Sequence, residues 1–288
     1  MLGINTNAPS LNAQNNLSRS ASSLETSIAR LSSGLRVNSA KDDAAGLAIA
    51  ERMTAQIRGF DVAARNANDG VSLLQVADGA LGKIGDNLQR MRELGVQAKN
   101  GTLNDTDRAN LNREFTELAN EVGRVATGTT FNGNNVFAAA NKTVNLQIGS
   151  GNVASDTLAV NLTDTGAAAG NDLQTTLGGA TQAAIVTAFG GVDTVANATT
   201  AITEIDTAIN DITNLRATTG AGLSRLDQVV SSLETTSANL SSARGRIMDA
   251  DFAKETANLT RSQILQQAGT AMLAQANQLP NNVLSLLR

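Results

Sequence analysis

The sequence predicts a mainly α-helical protein, in which the N- and C-terminal segments form a long antiparallel coiled-coil bundle and the centre holds a small insert with a β-hairpin. Near both ends, apolar residues recur at alternating spacings of three and four, as on one face of a helix. The 288 residues include six Phe but no Trp or Tyr, so the core must be aliphatic, which suits packed helices. The two prolines, Pro9 and Pro280, leave the helical spans unbroken.

The first helical pattern lies within the first forty residues. Its opposite face carries Ser and Asn with few charges, so this helix gains too little alone and needs a partner helix. A break at Ser33 and Gly34 ends the pattern. The apolar stripe consists of Leu17, Ala21, Leu24, Ile28, Leu31 and Leu35.

A second, longer pattern runs from about Ala44 to about Lys99. A helix of that length spans roughly 80 Å, more than an ordinary globular domain needs. The turn at Asn100 and Gly101 ends it, and Asn104 with the acidic residues after it predicts the capped start of a third helix. The stripe of the third helix is Leu111, Phe115, Leu118, Val122 and Val125, and that of the second is Met53, Ile57, Phe60, Ala64, Ala67, Val71, Leu74, Leu81, Ile84, Leu88 and Met91.

The centre of the chain, from about residue 127 to 196, is rich in Gly, Ala, Thr and Asn. Two short runs within it alternate apolar and polar residues, which predicts a β-hairpin. The pattern of residues 164–196 is compatible with a small lobe, a loop or a partly disordered segment. The apolar members of the two runs are Val144, Leu146 and Ile148, and then Leu158, Val160 and Leu162.

Helical patterns return in the C-terminal third. Two runs cover Ile202–Ile212 and Leu223–Ile247, and a last stripe follows them. No charged residue lies between Arg261 and Arg288, although the segment contains five Gln and is too polar to span a membrane. The last stripe consists of Leu265, Ala268, Met272, Ala276, Leu279, Val283 and Leu286.

An uncharged but polar end favours self-association. When identical subunits stack, a charge at a repeated contact meets its own copy, and like charges repel. An amide avoids this repulsion because it is donor and acceptor at once. The alternative is a merely soluble amphipathic tail.

The composition excludes several classes of function. Cys and His are absent, so disulfides, Cys nucleophiles, Ser-His pairs and zinc-histidine sites are impossible, and no catalytic, cofactor or metal site is predicted. A net charge of −4 without aromatic residues between basic ones argues against nucleic acid. Residues 1–13 lack the basic and apolar regions of a secretory signal, so export would need another route.

Two charged motifs have simpler interpretations than a site. Consecutive helical residues point about 100° apart, so Asp42 and Asp43 serve one metal site poorly, and capping of a helix N-terminus explains both. Residues 89–94 place polar groups and one Leu outside the seam of Leu88 and Met91, which predicts a solvated helix face.

Four segments carry a resemblance to a known family: Leu31–Met53 (LSSGLRVNSAKDDAAGLAIAERM), Ala67–Gln75 (ANDGVSLLQ), Phe131–Phe137 (FNGNNVF) and Ser262–Arg288 (SQILQQAGTAMLAQANQLPNNVLSLLR). Through them the chain closely resembles bacterial flagellin, over about residues 1–140 and 197–288. Flagellins vary most in the middle, which is short here. The resemblance therefore implies a compact subunit with at most a reduced outer domain.

The resemblance also implies a domain organisation. Residues 1–42 with 249–288 would form the terminal coiled coil that lines the inner tube of a filament. Residues 43–165 with 197–248 would form a helical bundle with the β-hairpin, and 166–196 a short variable insert. In this family the termini are disordered in the free monomer and fold on assembly. The residues expected to carry assembly are Leu17, Leu24, Ile28, Leu31, Leu35, Leu265, Met272, Leu279, Val283 and Leu286.

By the same resemblance, the chain would be a secreted, extracellular subunit of the bacterial flagellum and would serve motility. Its partners would be identical subunits, a flagellar export chaperone, and the junction and cap proteins. Export through the flagellar channel would replace a signal peptide.

Related flagellins are also recognised by host innate immune receptors. Some relatives carry a metalloprotease insert with an HExxH motif, which this chain without His cannot form. Toll-like receptor recognition would fall on Gln89, Arg90, Leu94, Gln97 and Glu114. Cytosolic sensors would read Leu284, Leu286 and Leu287.

Two alternatives remain open at the level of sequence. A hook-filament junction protein shares the terminal coiled coils but does not form long filaments. A surface-displayed enzyme or adhesin would use residues 138–196. The acidic residues of that segment, Asp156, Asp164, Asp172 and Asp193, form no clustered motif, so the sequence predicts no enzyme.

Overall fold

The computed structural model describes residues 7–137, 143–162 and 187–286, and these are mainly helical. The mainly α-helical class is confirmed. The first 21 residues of the predicted variable insert, 166–186, lie outside the described residues. The helices are α1 (Ala8–Ser33), α2 (Ala44–Ala98), α3 (Asp105–Gly128), α4 (Val195–Met248) and α5 (Phe252–Leu286), and the strands are β1 (Thr130–Phe131), β2 (Asn134–Asn135), β3 (Thr143–Gln147) and β4 (Thr157–Asn161).

The chain divides into two compact units. The terminal unit is Met1–Ile57 with Ala238–Arg288, and the central unit is Arg58–Ser237. Both α2 and α4 contribute residues to each unit. The division at residues 57 and 238 differs from the predicted layer boundaries at 42 and 249, which stay a prediction about an assembled filament.

In the terminal unit, α1 packs along α5. The Asn7 side chain accepts a hydrogen bond from the Ser10 amide at 3.2 Å, which caps the first turn of α1. Pro9 in the same turn has no amide N–H and therefore needs no acceptor. At the other end, Gly34 adopts a φ of 72° and donates its amide to the Arg30 carbonyl. This left-handed residue ends the helix at the predicted break.

The loops after α1 and after α4 are joined by backbone hydrogen bonds. Leu35 forms an isolated antiparallel bridge with Asp249. The Arg36 amide donates to the Met248 carbonyl at 2.6 Å, and the Arg36 guanidinium donates to the Ile247 carbonyl at 2.6 Å. These bonds satisfy carbonyls at the end of α4 that have no partner within the helix.

The two adjacent carboxylates before α2 have different partners. Asp43 accepts from the Gly46 amide at 2.8 Å and caps α2, as predicted. The prediction that Asp42 also caps this helix is wrong. Its carboxylate accepts hydrogen bonds from the Ser39 hydroxyl at 3.0 Å, the Ser39 amide at 2.9 Å and the Asn38 amide at 3.2 Å. The Ser39 hydroxyl, followed by these two amides, lowers the pKa of Asp42.

Replacing Asp42 by Asn is expected to loosen this loop at neutral pH and to have little effect in acid. A carboxyl whose pKa is lowered on folding stabilises the folded state above its unfolded pKa of about 3.9. That contribution disappears as the pH falls through the folded-state value. Hydrogen exchange of the Asn38 and Ser39 amides measures it. Asp43→Asn is the matched control, and equal protection in both variants at neutral pH would contradict the prediction.

The core of the central unit lies between α2, α3 and α4. Along α2 the fully buried side chains recur at spacings of three, four and seven, so the predicted seam is confirmed. The aromatic ring of Phe115 on α3 and the side chain of Ile205 on α4 complete this core. The fully buried large residues of α2 are Leu74, Leu81, Ile84, Leu88, Met91 and Leu94.

The predicted β-hairpin is confirmed as β3 paired antiparallel with β4. Val144 lies opposite Val160, and Leu146 lies opposite Leu158. Leu146 also packs against α2, where a Cβ on Gly70 would lie 2.3 Å from its Cδ1 atom. The hairpin therefore approaches the helix closely because residue 70 has no side chain.

Candidate self-association surface

The seam between α1 and α5 is made largely of small and polar residues. The least exposed positions of both helices alternate at spacings of three and four, as in a coiled coil. Leucines occupy only some of these positions. The seam positions are Ser10, Ala13, Leu17, Ser20, Leu24, Ser27 and Leu31 on α1, and Glu255, Leu259, Ser262, Gln266, Gly269, Leu273 and Ala276 on α5.

Small residues allow the two helices to come close. A Cβ on Gly269 would lie 3.2 Å from the Leu17 Cδ1 atom. Near the start of α1, the Ser10 hydroxyl and the Asn277 carboxamide oxygen are 2.8 Å apart, and the Asn7 carboxamide donates to the Ala276 carbonyl at 2.9 Å. This pairing relies on close approach and hydrogen bonds, and it buries little apolar surface.

The apolar core of the terminal unit is correspondingly thin. Its buried apolar side chains, among the residues described, are Val37, Ala50, Ile57 and Ala276. The main apolar cluster of the chain belongs entirely to the central unit. Since burial of apolar area supplies most of the stabilisation of a fold, the terminal unit is the weaker of the two.

Large apolar side chains of the terminal unit remain exposed. Leu265 is 51% exposed and Met272 is 64% exposed, although both belong to the predicted assembly stripe. Leu11, Ile28 and Ile264 are exposed as well. Exposed apolar side chains on an uncharged helix such as the second half of α5 are typical of a protein interaction surface.

Most of the predicted assembly residues on α1 and in the loop after it are half-buried. Leu17, Leu24 and Leu31 are half-buried on the seam, and Leu35 is half-buried in the loop after α1. The prediction that Ile28 shares their stripe is wrong, because Ser27 occupies that seam position and turns Ile28 outward. The remaining predicted residues lie outside the side chains that the structure describes, and these are Leu279, Val283, Leu284, Leu286 and Leu287.

Four of the five predicted receptor-recognition residues are exposed in the central unit. Gln89, Arg90 and Gln97 lie on α2 and Glu114 lies on α3. The Arg90 guanidinium donates to the Glu93 carboxylate at 2.8 Å and to the Glu114 carboxylate at 2.9 Å. These bonds, with Glu93 contributing most, raise the pKa of Arg90 and orient its side chain across the two helices.

The fifth residue, Leu94, is buried with 1% of its surface exposed. The prediction that it lies outside the seam of Leu88 and Met91 is wrong. It follows Met91 by three residues, as Met91 follows Leu88, so it continues the same buried face. A contact between Leu94 and a receptor stays a prediction, and the burial of this side chain does not support it.

The described residues contain neither of two further kinds of site, a metal cluster and a membrane span. No three carboxylates in the described ranges are grouped so that they could hold a metal ion, and Cys and His are absent from the sequence. None of the described helices combines the length and apolar character needed to cross a membrane.

Comparison with known proteins gives consistent matches along the chain. Family models for the bacterial flagellin N-terminal and C-terminal helical regions match residues 4–142 and 202–287. A flagellin of Halalkalibacterium halodurans is 42% identical over 287 residues, covering 99% of both chains. A Bacillus subtilis flagellin is 40% identical over 312 residues, also covering 99% of both. The crystal structure of Bacillus cereus flagellin is 36% identical with a TM-score of 0.47, covering 59% of this chain and 88% of that one.

Proposed function

The chain belongs to the bacterial flagellin family, and we propose that it is the structural subunit of a flagellar filament, secreted from the cell to serve motility. Flagellins are structural proteins, and we assign no reaction to this chain. The observation that carries the proposal comes from the terminal unit. Its seam is made of small and polar residues, and large apolar side chains stay exposed on the uncharged second half of α5.

This arrangement would couple assembly to folding. Few apolar side chains of the α1–α5 pair are buried, and isolated helices are marginal in water, so the pair alone would be weakly stable. Neighbouring copies that cover Ile28, Leu265 and Met272 would supply the missing burial. The terminal unit would thus fold fully only within the polymer, as disordered segments do when they fold on binding.

We assign the layers of the filament along the chain. Residues 1–42 with 249–288 would line the inner tube, and residues 43–165 with 197–248 would form the surrounding bundle. Residues 166–196 would form the short insert outside it. An export chaperone, the junction proteins and the cap would be the partners that handle or adjoin such a subunit.

Polymerisation of the purified full-length chain tests the proposal. Seeded with filament fragments and viewed by electron microscopy, the chain is expected to grow into long tubes with a helical repeat. Capped or short products would favour a hook-filament junction protein instead. Glycan binding by residues 138–196 without polymerisation would favour an adhesin.

Recognition by a host Toll-like receptor is a second proposal, carried by the exposed patch of Gln89, Arg90, Gln97 and Glu114. An oriented Arg side chain can form bidentate, charge-assisted hydrogen bonds with a partner. Arg is also enriched among the few residues that supply most of the binding energy of an interface. The C-terminal leucines Leu284, Leu286 and Leu287, proposed for cytosolic sensors, rest on the family resemblance alone.

Replacing Arg90 by Ala is expected to reduce receptor signalling severalfold or more, with polymerisation unchanged. The reason is that Arg90 is exposed, so its loss leaves the core intact. Dose-response curves at matched monomer concentration measure the effect. Arg124→Ala is the matched control, because Arg124 forms a similar exposed pair with Glu121 on α3. Equal loss in both variants would remove Arg90 from the proposed contact.

A further inference from the structure

A polar groove runs along one side of the α1–α5 seam within the terminal unit. It has a volume of about 500 Å³. Serine, threonine and asparagine side chains form much of its wall, in contrast to the apolar pockets that usually bind small molecules. Three arginines line it, namely Arg19, Arg30 and Arg261.

Polar side chains that line this groove are largely buried. Ser27, Ser262 and Glu255 are each only 5–7% exposed. The Arg30 Nε atom is also buried and unpaired, and the one ion pair of Arg30 is a 3.8 Å contact with Asp42. Buried polar groups in folded proteins almost always have partners. The Arg30 guanidinium is therefore only weakly paired within its own chain.

The charge of the groove identifies the kind of occupant. Three arginines and one glutamate give a net charge of +3 − 1 = +2, so an anionic group is favoured. Guanidinium groups bind carboxylates in a bidentate manner.

A carboxylate is available on the same pair of helices. Apart from Glu255, the only acidic residue of α1 and α5 is Glu25, which is exposed and forms no ion pair within the described chain. At about 100° per residue, Glu25 lies roughly 120° around α1 from the seam. Arg19 and Arg30 lie a similar angle away on the opposite side. Glu25 accordingly does not line the groove of its own molecule.

We propose that the groove receives the Glu25 carboxylate of a second copy of this chain. The donor side and the receiving side of the helix pair differ, so the contact is heterologous and repeats from subunit to subunit. Repetition around a tube or helix follows from such a contact, whereas a closed dimer does not. The uncharged segment from Ser262 to Leu286 cannot supply the anion, because it contains no carboxylate. This inference rests on the proposed filament function.

Charge exchange within one chain tests the proposal. Glu25→Arg and Arg261→Glu are each expected to raise the critical concentration for seeded polymerisation on the order of tenfold or more, since each places like charges in contact. The double variant Glu25→Arg/Arg261→Glu restores an attractive pair and is expected to polymerise within about threefold of the wild type. Sedimentation of seeded reactions measures all three.

Controls separate this contact from general effects of charge or folding. Lys254→Glu reverses an exposed charge one heptad before Arg261 and outside the groove, and it should change the critical concentration little. Circular dichroism of each monomer checks that the central unit is folded. If both single variants polymerise like the wild type, or the double variant stays as poor as the singles, the Glu25 contact is wrong and the filament function stands. If the wild type itself does not polymerise, the filament function fails.

Discussion

Deletion of residues 265–288 is expected to abolish filament formation and to leave a folded, monomeric central unit. The deletion removes Leu265 and Met272, which are exposed on α5, and the seam positions from Gln266 to Ala276 that pack on α1. It removes nothing from the main apolar core, which lies within residues 58–237. Negative-stain electron microscopy after seeding measures assembly, and thermal unfolding followed by circular dichroism measures the central unit.

A milder variant separates loss of the surface from loss of the helix. Leu265→Ser with Met272→Ser keeps α5 complete and is expected to impair seeding strongly. Val153→Ser, on an exposed apolar residue of the central unit, is the matched control. Normal filaments from the deletion variant would refute the role given to α5.

Replacing Phe115 by Ala is expected to destabilise the central unit by about 3–5 kcal/mol, which is typical of a buried Phe. The ring is fully buried in the main apolar cluster between α2, α3 and α4. Urea unfolding followed by circular dichroism gives the change in the free energy of unfolding.

Val76→Ala is the matched control for this substitution. Val76 lies on α2 in the same unit but is exposed, so its truncation should change the free energy of unfolding by less than about 0.5 kcal/mol. A Phe115→Ala variant as stable as Val76→Ala would mean that the core does not depend on this ring.

Periodicity predicted the central unit better than the terminal unit. In α2 the apolar stripe is long and continuous, so the buried face followed directly from the spacing, and the hairpin followed from its alternation. Leu94 was misplaced because it is surrounded by polar residues, although its spacing from Met91 was the correct signal. The turn of Asn132 and Gly133 between β1 and β2 was also missed, while its Asn-Gly pair is a known hairpin signal.

In the terminal unit, hydrophobicity alone does not identify the seam. Ser27 is buried and Ile28 is exposed, the reverse of what a transfer scale predicts. The reason is that close helix approach selects small residues, while larger apolar side chains such as Ile28 remain exposed. Likewise, no pattern in the sequence shows that Glu255 and Ser262 face one groove with Arg19 and Arg30, since α1 and α5 are far apart along the chain.

The separation of the paired ends has a kinetic consequence. The hydrogen bond from Asn7 to Ala276 joins residues that are 269 positions apart. Closing so long a loop carries a large entropy penalty, and contacts of such high order form slowly. Because the ribosome synthesises α5 after the other helices, α1 has no partner helix until α5 has been made. The central unit can complete its folding in that interval, before α1 and α5 pair.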